Sequence, residues 1–213
     1  MNMKYYFRKA IYLVLVSAFC SVHAGAFDDF FVAVRSDNAR GVTDLLARGF
    51  DPNTHETSGQ SALTLAVRES AGQVIEVLLK HPQIDLNAPN HAGETALMLA
   101  ALKGNLVLVQ RFAERGAAIN QPGWSALHYA ASGPEPQVVA WLLEHGAQLD
   151  ARSPNGTTPL MMAARYGHEQ SADLLLAKQA DTEVRNQRGL SAADFARGAG
   201  REALAKRLES RLR

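Results

Sequence analysis

The sequence predicts an all-α fold built from helix-turn-helix repeats with hairpin or turn connectors, about six repeats counting both caps. Three observations carry that prediction. Five glycine-led phrases recur in phase, at Gly59, Gly93, Gly123, Gly156 and Gly189, with spacings of 34, 30, 33 and 33 residues. A fixed period near 33 marks a repeat architecture. A second phrase sits at constant offset after its glycine in Val77-Leu-Leu-Lys-His, Trp141-Leu-Leu-Glu-His-Gly-Ala and Leu174-Leu-Leu-Ala-Lys-Gln-Ala, with a weaker copy at Arg111-Phe-Ala-Glu-Arg-Gly-Ala. Each is then followed by an apolar residue and Asn or an acid, or in the last case by Thr182-Glu183. Finally, 47% hydrophobic and 20% charged residues, with 22 Lys and Arg against 21 Asp and Glu, describe an ordinary folded chain. General disorder, a multi-span membrane protein and a polybasic nucleic-acid arm are excluded on that composition.

The first element, residues 1–24, reads as an export signal. Lys4, Arg8 and Lys9 precede an apolar run from Ala10 to Phe19, and Val22-His23-Ala24 supplies a small-residue cleavage site. Cleavage is expected after Ala24, with Ala26 as the alternative. The run is about half of the roughly 20 residues a membrane span needs, so no stable anchor is expected after cleavage. Cys20 follows the bulky Phe19, which disfavours lipidation. Removing residues 1–24 takes away three basic residues, no acidic ones and the only cysteine, so the balance of +1 becomes −2 over 189 residues. A thiol-free exported chain needs no oxidation machinery, and the expected location is periplasmic or secreted.

The remainder, 25–213, divides into units of about 27–58, 59–92, 93–122, 123–155, 156–188 and 189–213. The first lacks its opening glycine, yet Phe30 and Ala33 fall at the Leu and Ala offsets, and Leu45-Leu46 and Asn53 match the later half. In the inner units a Ser or Thr two places after the glycine is placed to cap a short helix, and Pro159 sits at a first helical position. Small alanines on this helix permit close neighbours, and Gly104 or Gly167 can end it in a left-handed conformation. The second helix carries larger residues such as Val138, Val139, Leu142 and Leu143, and ends at Gly116 or Gly146. The spacing of 34 comes from one extra residue in His81-Pro-Gln-Ile-Asp85, and the spacing of 30 from a connector shortened by three residues at Asn120-Gln-Pro-Gly123. The last unit closes with Glu202, Lys206, Arg207, Glu209, Arg211 and Arg213, a solvated cap that points to a monomer.

Gly156-Thr-Thr-Pro-Leu-Met-Met-Ala-Ala164 and Leu142-Leu-Glu-His-Gly-Ala147 resemble the two signature phrases of the ankyrin repeat, and the resemblance runs from about residue 27 to the C-terminus. It implies an ankyrin-type solenoid that recognises a protein partner through hairpin tips and the concave face of the first helices. Carried over by offset, hairpin positions are His91, Glu94, Trp124, Asn155, Thr157 and Arg188, and first-helix positions are Arg68, Glu69, Leu102, Lys103, Arg165 and Tyr166. Trp124 stands where other units have Gln60, Glu94 and Thr157. It is either an exposed anchor or a filler of the space left by the shortened connector. Trp141, at an offset held elsewhere by Val77 and Leu174, is expected in the core. The family places His128 where an imidazole braces adjacent hairpins.

No catalytic constellation emerges. The six histidines from His55 onward form no His-x-x-x-His pair, and no phosphate loop or nucleophile elbow occurs. His145 and His168 fall at helix ends, as caps or surface groups. The expected protein is no enzyme and takes no metal or cofactor, and a balance of −2 lacks the basic excess that nucleic acid requires. An inhibitor, immunity or stress-protection role in the envelope is the leading reading. A secreted host-directed effector and an enzyme with an unrecognised site are the alternatives.

Overall fold

The computed structural model describes residues 25–210; the predicted export segment, residues 1–24, and the cap residues Arg211 and Arg213 lie outside them. Twelve helices and no strand occur among the described residues, with one isolated bridge between His55 and Ser61. They group into two compact units. Unit 1 runs to Thr57 and resumes over Ser61–Ile84; unit 2 comprises Ser58–Gln60 and everything from Asp85.

Unit 1 contains α1 (residues 25–35), α2 (Ala39–Ala47), α3 (Ala62–Glu69) and α4 (Gly72–Lys80). Asn38 caps α2 by accepting the Gly41 N–H, and Ser61 caps α3 by accepting that of Thr64. Such side-chain caps contribute about 1 kcal/mol each. Phe30, Val34, Val42, Val74 and Leu78 are fully buried, and the Phe30 ring lies 4.4 Å from that of Phe50. The expected Leu and Ala offsets, Phe30 and Ala33, are both inside.

Unit 2 contains α5 (Ala96–Leu102), α6 (Leu106–Glu114), α7 (Ala126–Ser132), α8 (Pro136–Glu144), α9 (Pro159–Arg165), α10 (Glu169–Ala177), α11 (Ala192–Gly198) and α12 (Glu202–Glu209). The hydroxyls of Thr95, Thr158 and Ser191 accept the N–H three residues on, and Pro159 opens α9, as the spacing predicts; Pro136 opens α8 in the same way. Helices α5, α7, α9 and α11 stack in that order. Ala100, Ala130, Ala163 and Ala196 are fully buried within them, and side chains this small let the backbones approach closely. Val109, Phe112, Val138, Leu142, Leu175 and Leu204 fill the core from the second helices.

Chain reversal uses left-handed backbone at fixed offsets. The five phrase-opening glycines have φ between 73° and 86°, and Gly116 and Gly146, which end α6 and α8, have φ of 94° and 83°. After α10 the same place is held by Gln179, at φ 66°. A left-handed L-residue costs about 1–2 kcal/mol, partly offset by the greater unfolded-chain entropy of glycine. Gln179→Gly should therefore stabilise unit 2 by about 0.5–1 kcal/mol, read as a higher urea midpoint at unchanged slope. Gly167 differs from expectation: its φ is not left-handed, and its lack of a side chain serves a close backbone approach instead.

Consecutive repeats are also linked by polar side chains. In unit 2 the Asn87 Oδ1 accepts the Ala118 N–H at 2.8 Å, Asn120 accepts the Gln148 N–H at 2.9 Å and donates to the Gly146 carbonyl at 2.8 Å, and Asp150 accepts the Asp181 N–H at 3.1 Å. In unit 1 Asn53 donates to the Gln83 carbonyl at 2.8 Å. This is the physical reason for the Asn or acid that recurs after each second helix. At the far end Arg201 reaches backwards, its Nη1 within 2.8–3.1 Å of the carbonyls of Ala163, Ala164 and Gly167. It thereby satisfies carbonyls that a helix terminus leaves unpaired.

Candidate functional site

The first helices of unit 2 are seven residues long, so each spans about 10 Å along its axis. Stacked at interaxial distances of about 8–10 Å, four of them make a face some 30 Å long. One edge is formed by the connectors and the residue after each phrase glycine. The other is formed by the C-terminal turns.

At the C-terminal edge the structure places Leu102, Lys103, Arg165 and Tyr166 in solvent. Tyr166 is 60% exposed, and the Arg165 guanidinium lies 5.3 Å from the centre of its ring. Arg68 and Glu69 are exposed at the end of α3, in unit 1. On the connector edge His91, Asn155 and Arg188 are exposed. Glu94 is half-buried and turned to its own chain: one carboxylate oxygen accepts the Tyr129 hydroxyl at 3.0 Å, and the other accepts the Asn90 amide at 2.8 Å. Burial, and then the charge and hydrogen bond of Glu94, raise the Tyr129 pKa, so the phenol stays protonated.

Thr157 is a correction. It is 2% exposed, because the full-length connector folds over it: its N–H donates to the Ser153 hydroxyl at 3.0 Å and the Asn155 side-chain Oδ1 at 3.2 Å. Its side chain is unavailable to a partner. Trp124, at the same offset after the shortened connector, is half-buried, with its ring edge-on to His128 at 5.2 Å. It both fills the space and shows part of its ring. Trp141 does not enter the core; it is half-buried and stacks at 3.7 Å on the His145 ring one turn along α8.

His128 is fully buried and joins two repeats. The Ser125 N–H can only donate, so Nδ1 accepts it at 3.1 Å; the Thr157 carbonyl can only accept, so Nε2 donates to it at 2.9 Å. The ring is thus the neutral Nε2-H tautomer. Burial lowers its pKa, opposed in part by the bond to Thr157. His145 caps α8 and His168 caps α10.

Between the two edges lies a stripe that the spacing argument missed. Six residues after the phrase glycines stand Leu99, Tyr129, Met162 and Phe195, on α5, α7, α9 and α11. Leu99 is buried, whereas Tyr129, Met162 and Phe195 are each half-buried. The signal was present as a change from Leu65 and Leu99 to two aromatics and a methionine at one offset, but an apolar residue inside a repeat phrase reads as core.

Among the described residues no three His, Cys, Asp or Glu side chains converge as a metal site, and no helix is long and apolar enough to cross a membrane. A cavity of about 430 Å³ in unit 1 is lined by Phe27, Leu45, Phe50, Thr54, Arg48 and Asp51 among others. Its lining is mostly apolar and assembles no nucleophile with a base.

A family model described as ankyrin repeats (three copies) matches residues 30–122 and 103–186. The nuclear factor NF-kappa-B p105 subunit of Gallus gallus is 33% identical over 164 residues, which is 73% of this chain and 16% of that protein. SH3 and multiple ankyrin repeat domains protein 2 of Homo sapiens is 32% identical over 156 residues, 71% of this chain and 8% of that one. The chain thus spans a sixth or less of these relatives. A chain from the solved complex of a predatory endopeptidase of Bdellovibrio bacteriovorus with an immunity protein matches with a TM-score of 0.71 at 24% identity, covering 85% of this chain and 97% of that one.

Proposed function

The chain belongs to the ankyrin repeat family, whose repeats are protein-interaction modules, and from that premise we propose that it is a non-enzymatic binding protein of the periplasm that holds an envelope or exported protein and restrains it. The observation that carries this reading is the face of unit 2: a stripe of half-buried Tyr129, Met162 and Phe195 flanked by exposed Tyr166 and Arg165. Partly exposed aromatics and arginines on a rigid scaffold are the side chains that dominate interface energetics. The restraining role is supported by the fold shared with a chain of the endopeptidase–immunity complex, and export is supported by the basic, apolar and small-residue order of residues 1–24.

The test has two arms. Fractionation of the native cell should place the protein in the periplasm, with its N-terminus at Gly25. Affinity capture from that fraction, followed by calorimetry with each purified candidate, should yield a partner that Trp124→Ala/Tyr166→Ala binds at least about tenfold more weakly than wild type, as expected when interface anchors are truncated. Equal affinity for both proteins overturns the assignment of the face. Recovery of the protein in the culture medium alone favours the secreted effector.

A further inference from the structure

The charges around the aromatic stripe are unevenly available. Its two carboxylates are already satisfied within the chain. Glu94 has both oxygens bonded, to Tyr129 and Asn90. Asp194 accepts the Ser191 N–H and hydroxyl at 2.8 Å on one oxygen and Arg197 at 3.2 Å on the other. Those bonds from Ser191 hold its pKa below the ordinary carboxylate value, so it stays charged and committed. Arg185 and Arg197 are engaged by Asp194, but three other cations are not so committed. Arg152, Arg165 and Arg188 are exposed, and their guanidinium groups make no hydrogen bond or ion pair with the described residues. Arg152 and Arg188 stand on the connector edge and Arg165 on the C-terminal edge, with the stripe between them.

Dimensions add a second constraint. A face about 10 Å by 30 Å offers roughly 300 Å². A standard interface buries about 800 Å² on each partner. The stripe therefore suits an inserted segment better than a broad flat surface, with the connectors supplying the rest of the contact.

We propose that this face takes an acidic segment of the partner protein, its central apolar side chains seated on Tyr129, Met162 and Phe195 and its flanking carboxylates on Arg165, Arg152 and Arg188. The inference rests on the binding face argued above and goes further in fixing the chemistry of what enters it. Guanidinium forks bind carboxylates bidentately, and at the rim they set orientation and association rate more than affinity. The apolar stripe supplies the affinity.

The experiment uses the whole exported chain and short random peptides displayed on phage. Enriched peptides should combine an aromatic or aliphatic core with Asp or Glu on its flanks. A synthetic copy, followed by fluorescence anisotropy, should bind at least about tenfold more weakly to Arg165→Glu/Arg188→Glu and to Met162→Asp, and more weakly as salt is raised. Circular dichroism of each variant checks that it folds, and the charge reversal, being at exposed positions, serves if Met162→Asp does not. Enriched peptides that are neutral or basic, lose binding to Met162→Asp and are indifferent to the arginines overturn this inference and leave the binding face standing. Peptides insensitive to both variants overturn the face as well. No enrichment, or equal binding of heparin with no apolar selection, overturns the proposal.

Discussion

Replacing His128 with alanine is expected to lower the unfolding free energy of unit 2 by about 3–5 kcal/mol. The ring is fully buried and bridges the Ser125 N–H to the Thr157 carbonyl. Truncation orphans the Ser125 N–H at about 1–3 kcal/mol, takes from the Thr157 carbonyl one of its two donors, the Ser153 N–H being the other, and leaves a cavity besides. Both tryptophans of the chain, Trp124 and Trp141, belong to unit 2, so urea titration followed by tryptophan fluorescence reports this transition directly. Loss of less than about 1 kcal/mol would contradict the bridge.

The same residue makes stability depend on pH with a defined sign. Burial lowers the native pKa of His128 from its ordinary 6.5, because the charged ring is taken out of water, and a second ring proton would in addition face the Ser125 N–H donor. Below pH 6.5 the unfolded chain binds a proton that the native chain refuses. Stability contributed by the neutral ring is thus present above 6.5 and declines by about 1.4 kcal/mol per pH unit as pH falls toward the native value. His128→Asn has no titrating ring, and it can still accept the Ser125 N–H as Asp194 accepts that of Ser191. Its deficit relative to wild type should shrink as pH is lowered from 7 through this window, since carboxylate titrations common to both proteins cancel in the difference.

Gly167→Ala is expected to cost about 3 kcal/mol. A Cβ there would lie inside the van der Waals contact distance of the Ala131 carbonyl oxygen and 3.0 Å from the Ala163 Cα. Both obstacles are backbone, so no side chain can swing aside, and α9 would have to part from α7. Two controls separate the causes. Gly189→Ala meets nothing within 4 Å and has φ 73°, so it carries only left-handed strain, about 1 kcal/mol. Gly104→Ala shares that strain, at φ 72°, and adds a clash with the Cγ and Cβ of Glu135, which are side-chain and not backbone atoms. A Gly167→Ala protein no less stable than Gly189→Ala would show that the α7–α9 approach tolerates a methyl group.

Much of this was legible in the residues because it is local. A left-handed turn selects glycine, a bare helix start selects Ser or Thr, and a close helix pair selects alanine, so these recur at fixed offsets and can be read one position at a time. Burial of the individual connector residues was not legible. Thr157 and Trp124 share an offset, yet one is covered by Ser153 and Asn155 while the other, after a connector three residues shorter, lacks that cover. Exposure there depends on the length of a neighbouring loop and not on the residue itself. Tyr129, Met162 and Phe195 were hidden for the opposite reason: they occupy a place where other repeats bury leucine, and hydrophobicity alone does not tell a core position from a binding one. Gly167 was predicted at the right residue for the wrong reason, since a glycine in sequence cannot say whether it is chosen for its φ or for its missing Cβ.

The polar links between repeats have a direction. Asp37, Asn87, Asn120, His128 and Asp150 each belong to the earlier repeat and hold backbone in the later one. Near the end, Gln187 and Arg201 reach back to earlier backbone instead, to the carbonyl of Pro154 and to those of Ala163, Ala164 and Gly167 at the end of α9. A repeat emerging during synthesis therefore meets a clamp that has already folded, and the repeat of α11 and α12 also fastens itself to its predecessor. Shortening the chain from its C-terminal side leaves every earlier clamp with its own supports, whereas removing repeats from the N-terminal side strips the next turn of the side chain that shaped it.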